Sequence, residues 1–212
     1  DYGQAVERYI REAQTNIATL NQLEIESENA LARARAGFEV LQTCTDTAES
    51  RADLEASLVV VTGTFGVSLR NRALEDLTSQ PHLVAQQTEE ERQHFADVMF
   101  TIGVFAREAE FIERLPLEKR IQDSPLLEPG TLIDRNVTYT GVDYSRKVRA
   151  LKLAAPISEL CRDNELKKAY YTWERWQGTL PVVIGIMRTT LQQSLARLGL
   201  DHVDLLLVHH RI

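Results

Sequence analysis

Lysine is missing from the first 118 residues. The first is Lys119, and every cation before it is an arginine. The net charge of −7 excludes a general nucleic-acid binder, because affinity for phosphate backbones needs a basic surface. Cysteine is nearly absent: Cys44 and Cys161 stand far apart, form no Cys-x-x-Cys pair and carry no zinc spacing. Two free thiols in a reducing compartment are the expectation from that spacing, and nothing in the sequence supports a disulfide. No stretch of about 18 uncharged apolar residues occurs, so no transmembrane helix is expected. The longest such run, residues 56–69, contains Gly63 and Gly66 with serines and threonines. Glycine-based motifs are also lacking. Gly63-Thr-Phe-Gly66 has no Gly-Lys-Ser/Thr ending for a phosphate loop, and no Gly-x-Ser-x-Gly elbow appears. No hydrophobic leader opens the chain. Asp1 is not an initiating residue, so a processed N-terminus in a soluble protein is the expectation.

What is present is helical periodicity. Residues 4–43 have no proline and one glycine, Gly37. Val6, Ile10, Ala13, Ile17 and Leu20, then Leu31, Ala34, Phe38 and Leu41, recur at steps of three and four, as in a coiled-coil seam. Glu24 and Ser27 interrupt the stripe, which predicts one long helix bent near residue 24. Such a stripe is stable only when buried. A second helix is expected over 45–77, although Leu58-Val-Val-Val61 also suits a buried strand. A loop follows over 78–87. Thr88 with Glu91 forms a capping box that opens a helix carrying Phe95, Val98, Ile102, Phe105, Ala109 and Ile112 on one face.

Residues 116–142 change character: Pro125, Pro129-Gly130 and Gly141 punctuate a stretch containing Val137-Thr-Tyr-Thr140, which reads as an irregular connection or a small extended element. Beyond it the pattern predicts a short helix over 145–154, a helix over 157–176, and a last helix over 182–198 stopped by Gly199. Residues 203–208 read as a short strand. The expected fold is mainly α: a long antiparallel helical bundle or coiled-coil hairpin over 1–115, a connection over 116–142, and a smaller helical module over 143–212 ending in that strand.

Ser194, Leu195, Arg197-Leu-Gly-Leu-Asp201, Val203-Asp-Leu205, Leu207 and His209 form a helix–turn–strand phrase over about 191–209. This phrase resembles the segment of aldo-keto reductases that enters the fourth barrel strand, where the terminal histidine is a substrate-site residue. Thr45-Asp-Thr-Ala-Glu-Ser50 is similar to the family's segment bearing the supporting aspartate. The resemblance implies an NADPH-dependent carbonyl oxidoreductase on an α/β barrel, with Asp46 and His209 as inherited catalytic residues. Chemistry in that family needs a tyrosine proton donor tuned by a lysine. Arg51 stands where the tyrosine is expected, and Val59–Gly66, the counterpart of the lysine-bearing strand, has no lysine.

Other candidate sites are sparse. His209 and His210 point to opposite faces of a strand, and His202 lies too far along it to share an ion with His210. Glu90 and His94 share a helix face but lack a second Glu/His helix. No metal is therefore expected. Asn136-Val-Thr138 matches a glycosylation sequon, read as accidental without a secretory signal. Tyr170, Tyr171, Trp173 and Trp176 form the densest aromatic cluster, beside Arg162, Lys167, Lys168 and Arg175. Ala169, Trp173 and Trp176 share one helix side, so packing is the first reading, and Tyr170, Trp173 and Trp176 are the candidate interface anchors. The expected function is a non-catalytic helical interaction or structural subunit, without cofactor, that self-associates or joins a larger complex. The alternatives are the NADPH-dependent reductase and a helical ligand-binding or sensory bundle with a cavity around Phe95–Phe105.

Overall fold

The computed structural model describes residues 1–139 and 142–199. It is mainly helical, with one two-stranded antiparallel sheet. The chain divides into two compact units that are discontinuous in sequence. The first comprises Asp1–Ser27, Gly66–Phe111 and the described residues from Thr179 onward; the second comprises Glu28–Phe65 and Ile112–Gly178. The expected C-terminal strand and His202, His209 and His210 lie outside the described residues.

Helix α1 (Tyr2–Thr43) is one continuous helix that contributes to both units. In the first unit its buried line is Ala5, Tyr9, Ala13, Ile17 and Leu20, rather than the Val6–Ile10 start that hydrophobicity alone suggests. Tyr9 displaces Ile10 from the core because its ring meets Phe95 edge-to-face at 5.5 Å. The interruption near residue 24 also has a local cause. The Ser27 hydroxyl donates to the Glu24 carbonyl, and the Glu24 carboxylate takes the Arg188 guanidinium.

The predicted helix over 45–77 is two helices, α2 (Ala48–Val61) and α3 (Arg72–Ser79), separated by non-helical residues. The β-branched run belongs to α2, where Leu58 and Val61 are buried. The predicted loop over 78–87 contains a single turn, α4 (Pro81–Val84), with proline at its first position. Helix α5 (Glu89–Arg114) starts at the expected capping box. The Thr88 amide donates to Glu91 Oε2 at 2.7 Å and the Glu91 amide donates to Thr88 Oγ1 at 3.2 Å. That backbone bond, with further hydrogen bonds from the Tyr2 and Thr88 hydroxyls, holds the Glu91 carboxyl below its usual range.

In the second unit, β1 (Leu127–Tyr139) and β2 (Val142–Leu153) form a hairpin, correcting the helix expected over 145–154. Its register runs from Leu127 opposite Leu153 to Tyr139 opposite Val142, with an irregularity between Pro129 and Leu132. Proline cannot donate to a ladder, so it fits there. The strands carry charge pairs, Glu128–Lys152 at 2.8 Å and Asp134–Lys147 at 3.7 Å. The remaining helices are α6 (Ile157–Leu160), α7 (Asn164–Gln177) and α8 (Leu180–Arg197). Gly199 has φ +80°, as a helix-terminating glycine should.

The expectation of two free thiols is corrected: Cys44 and Cys161 form a disulfide across a sequence separation of 117. Cys44, just past α1, adopts φ +54°, a left-handed turn that reverses the chain toward α2. Around this bridge the core is built from Leu41, Leu54, Leu58, Ile157, Leu160, Tyr170 and Trp173. The Ser57 hydroxyl and the Tyr170 hydroxyl share a hydrogen bond at 2.6 Å. Gly37 lets α1 approach that pair: a methyl group there would overlap Ser57 Oγ and Cβ.

Candidate functional site

The first unit contains one arrangement that looks catalytic. Ser194 on α8 is fully buried, and its Oγ lies 2.8 Å from His94 Nε2 on α5 and 2.5 Å from the Tyr9 hydroxyl on α1. A serine beside a histidine is the start of a nucleophile–base pair.

The third partner reverses that reading. Arg197 Nη1 lies 3.2 Å from His94 Nδ1. A guanidinium only donates, so Nδ1 accepts and the imidazole proton sits on Nε2. Nε2–H therefore donates to Ser194 Oγ and cannot take the serine proton. A catalytic histidine needs an acceptor on Nδ1, commonly a carboxylate, and has a cation instead. Burial lowers the His94 pKa first, and the Arg197 charge lowers it further. Burial likewise pushes the Tyr9 hydroxyl up to about 12. The cluster is a neutral polar knot that ties α1, α5 and α8 together.

This knot gives the first unit a pH signature. The folded-state pKa of His94 is depressed, so its contribution is complete above the ordinary histidine value of about 6.5 and is lost as pH falls below it. Urea unfolding of the wild type should therefore lose stability between about pH 7 and pH 5. His94→Gln, whose amide can still donate to Ser194, should show a flatter profile across that window. Equal slopes for both proteins would assign the pH response elsewhere.

The residues singled out from sequence separate clearly. Tyr170 and Trp173 lie inside the second unit, each 1% exposed, and so are anchors of its own core rather than of an exposed interface. The Trp173 indole N–H donates to the Gly63 carbonyl at 2.8 Å, and Tyr170 stacks on Phe38 with ring centroids 6.0 Å apart. Trp176 is half-buried beneath the Arg175 guanidinium, which lies 5.9 Å from its ring. Of the two reductase-type residues, Asp46 is exposed and binds Arg51 at 2.7 and 2.9 Å, whereas His209 lies outside the described residues. The barrel that the resemblance implies is not the architecture of the described residues. Phe95 and Phe105, proposed to border a sensory cavity, are core residues of the first unit. Among the described residues no group of three His, Cys, Asp or Glu side chains could hold a metal.

The second unit has an open cavity of about 510 Å³ between residues 118–125 and α7. Its cations already have partners: Lys119 pairs with Glu165 at 3.5 Å, and Arg120 with Asp123 at 3.3 Å.

Surface apolar groups are the remaining feature. On α8, Val182 and Ile186 stand one turn apart and are 62% and 60% exposed. Gly185 lies between them with open space around its Cα. Phe100 on α5 is 71% exposed. The inward residues of α8, Ile184, Met187 and Leu191, are fully buried, so these outward side chains contribute nothing to the core of their own unit. Hydropathy periodicity missed this face because α8 is apolar on both sides, and a stripe assigned to the core leaves no visible second stripe. Comparison with protein-family models, with curated proteins and with solved structures gives no match for this chain.

Proposed function

We propose that this chain is a non-catalytic helical subunit that self-associates through the outward face of α8, with Phe100 of α5 as a further apolar contact. The observation that carries this reading is the adjacent pair Val182 and Ile186, exposed on a helix whose opposite side is already packed. Fully burying one such side chain is worth about 1.5–3 kcal/mol, so covering the pair supplies a substantial part of an association energy. Closed homo-oligomers are the commonest assemblies of soluble chains, which makes a second copy the first partner to test. The inert Ser194–His94 knot supports a role outside catalysis. The Cys44–Cys161 bridge supports residence in a compartment where disulfides persist, replacing the reducing compartment expected from cysteine spacing. No helix among the described residues is long and apolar enough to cross a membrane.

The test is a Val182→Lys/Ile186→Lys double variant in sedimentation velocity. Its self-association should be at least tenfold weaker than wild type, with an unchanged thermal midpoint. Wild-type association in the double variant would remove α8 from the interface.

A further inference from the structure

The first unit carries a second surface that its own packing does not explain. An open groove of about 260 Å³ lies between the N-terminal part of α1 and the segment entering α3. Four arginines line it: Arg8 and Arg11 from α1, Arg70 from the segment and Arg72 at the first position of α3. Two carboxylates, Glu12 and Asp76, face them, in a chain whose overall charge is −7.

The seam beneath the groove is built without the arginine side chains. Asn16 is buried and binds the Arg70 backbone twice, donating to its carbonyl at 2.7 Å and accepting from its amide at 2.9 Å. Glu12 accepts from the Ala73 amide with both oxygens at 3.2 Å, and so already caps the first turn of α3. These clamps fix the positions of Arg70 and Arg72 opposite Arg8 and Arg11.

The guanidiniums themselves are held loosely. Arg8 and Arg72 both approach Asp76, at 3.9 and 3.6 Å, and Arg11 reaches Glu7 at 3.9 Å. Those distances exceed a charge-assisted hydrogen bond of about 2.7–2.9 Å. One carboxylate thus serves two arginines poorly. All four side chains sit on exposed residues, so little desolvation opposes recruiting them.

We infer that this groove is a binding site for a small phosphoryl oxyanion, with Arg8, Arg11, Arg70 and Arg72 as its ligands. Arginine's planar fork donates in pairs to phosphate oxygens, and several forks meeting from two elements suit an anion carrying more than one negative charge. The volume suits a group of pyrophosphate size rather than a drug-sized molecule. Asp76, whose carboxylate also accepts from the Gln80 side-chain amide at 2.8 Å, acts as the internal competitor by attracting the Arg8 and Arg72 guanidiniums until the anion displaces it. This site is independent of the α8 face.

Calorimetric titration of the full chain with pyrophosphate at constant ionic strength tests the site. Wild type should bind saturably with one site per chain. Arg70→Gln/Arg72→Gln should weaken binding at least tenfold, whereas Arg107→Gln, outside the groove, should leave it unchanged. Asp76→Asn should tighten binding several-fold, a gain that nonspecific charge attraction to a remote surface does not produce. Vesicles bearing a phosphomonoester headgroup separate the sources. If they compete with pyrophosphate, the phosphoryl group is available from a lipid; if only the soluble anion binds, the ligand is a free phosphate compound. Absence of saturable pyrophosphate binding in wild type, or equal binding by the Arg70→Gln/Arg72→Gln variant, would overturn the site.

Discussion

Replacing Trp173 with alanine is expected to cost on the order of 4–5 kcal/mol and to bring the second unit close to unfolding. The indole is 1% exposed, among the most deeply buried of the large side chains. Truncating a buried tryptophan leaves a cavity and costs about 3–5 kcal/mol. It also strands the Gly63 carbonyl, which accepts the indole N–H and otherwise closes the C-terminal end of α2 onto α7. Gly63 is only partly buried, so water takes over much of that bond and its loss adds about 1 kcal/mol or less. Domains of this size have only about 5–15 kcal/mol to lose. Both tryptophans of the chain are in the second unit, so residual Trp176 fluorescence in urea follows its unfolding alone. Trp176→Ala, at a half-buried site, should cost about a third as much. Similar losses at the two positions would contradict the assignment of Trp173 to the core.

Removing the disulfide is expected to have the next largest effect. Closing a loop of 117 residues restricts the unfolded chain enough to be worth about 4–5 kcal/mol in the chain-entropy account, and native bridges typically contribute about 2–4 kcal/mol. Cys44→Ser/Cys161→Ser should therefore lower the urea midpoint of the tryptophan transition by a large step. Reductant should shift the wild type to the same place and leave the double variant unmoved. A wild type indifferent to reductant would mean that the two sulfurs are not joined in solution.

How much of this was legible in the residues varies with the range of the interaction. The Thr88–Glu91 box was readable because both partners lie within one helical turn, and their chemistry permits little else. Gly199 was readable for the same reason. The hairpin was not. Among the described side chains of 128–136 and 144–150 none is buried, so the core contacts at Leu127, Leu151 and Leu153 are too few to reveal a period of two, and Val148 and Leu151 mimic a helical step. The stabilising cross-strand pairs, such as Asp134 with Lys147, become visible only when the register is known.

The sites follow the same rule. Tyr170 and Trp173 stood out because aromatic density is a local property, but density does not distinguish an internal anchor from an exposed one. What decides is the company of Ser57, Phe38 and Gly63, all more than 100 residues away. Ser194, His94 and Tyr9 carry no motif linking them, since they meet only through helix packing. Cys44 and Cys161 are likewise too far apart for spacing to report their bond. The arginine groove had one faint local sign, the exclusive use of arginine before residue 119, but composition does not say which of those arginines converge.

Light scattering of the wild-type chain across a concentration series, with and without excess NADPH, tests most directly whether this is an assembling subunit. A mass that rises above 24.0 kDa with concentration, is indifferent to NADPH, and leaves tryptophan fluorescence unchanged is the expected result. A 24.0 kDa monomer at every concentration would contradict self-association. A fluorescence signal that saturates with NADPH would contradict the non-catalytic reading and make Asp46 and His209 the first residues to mutate.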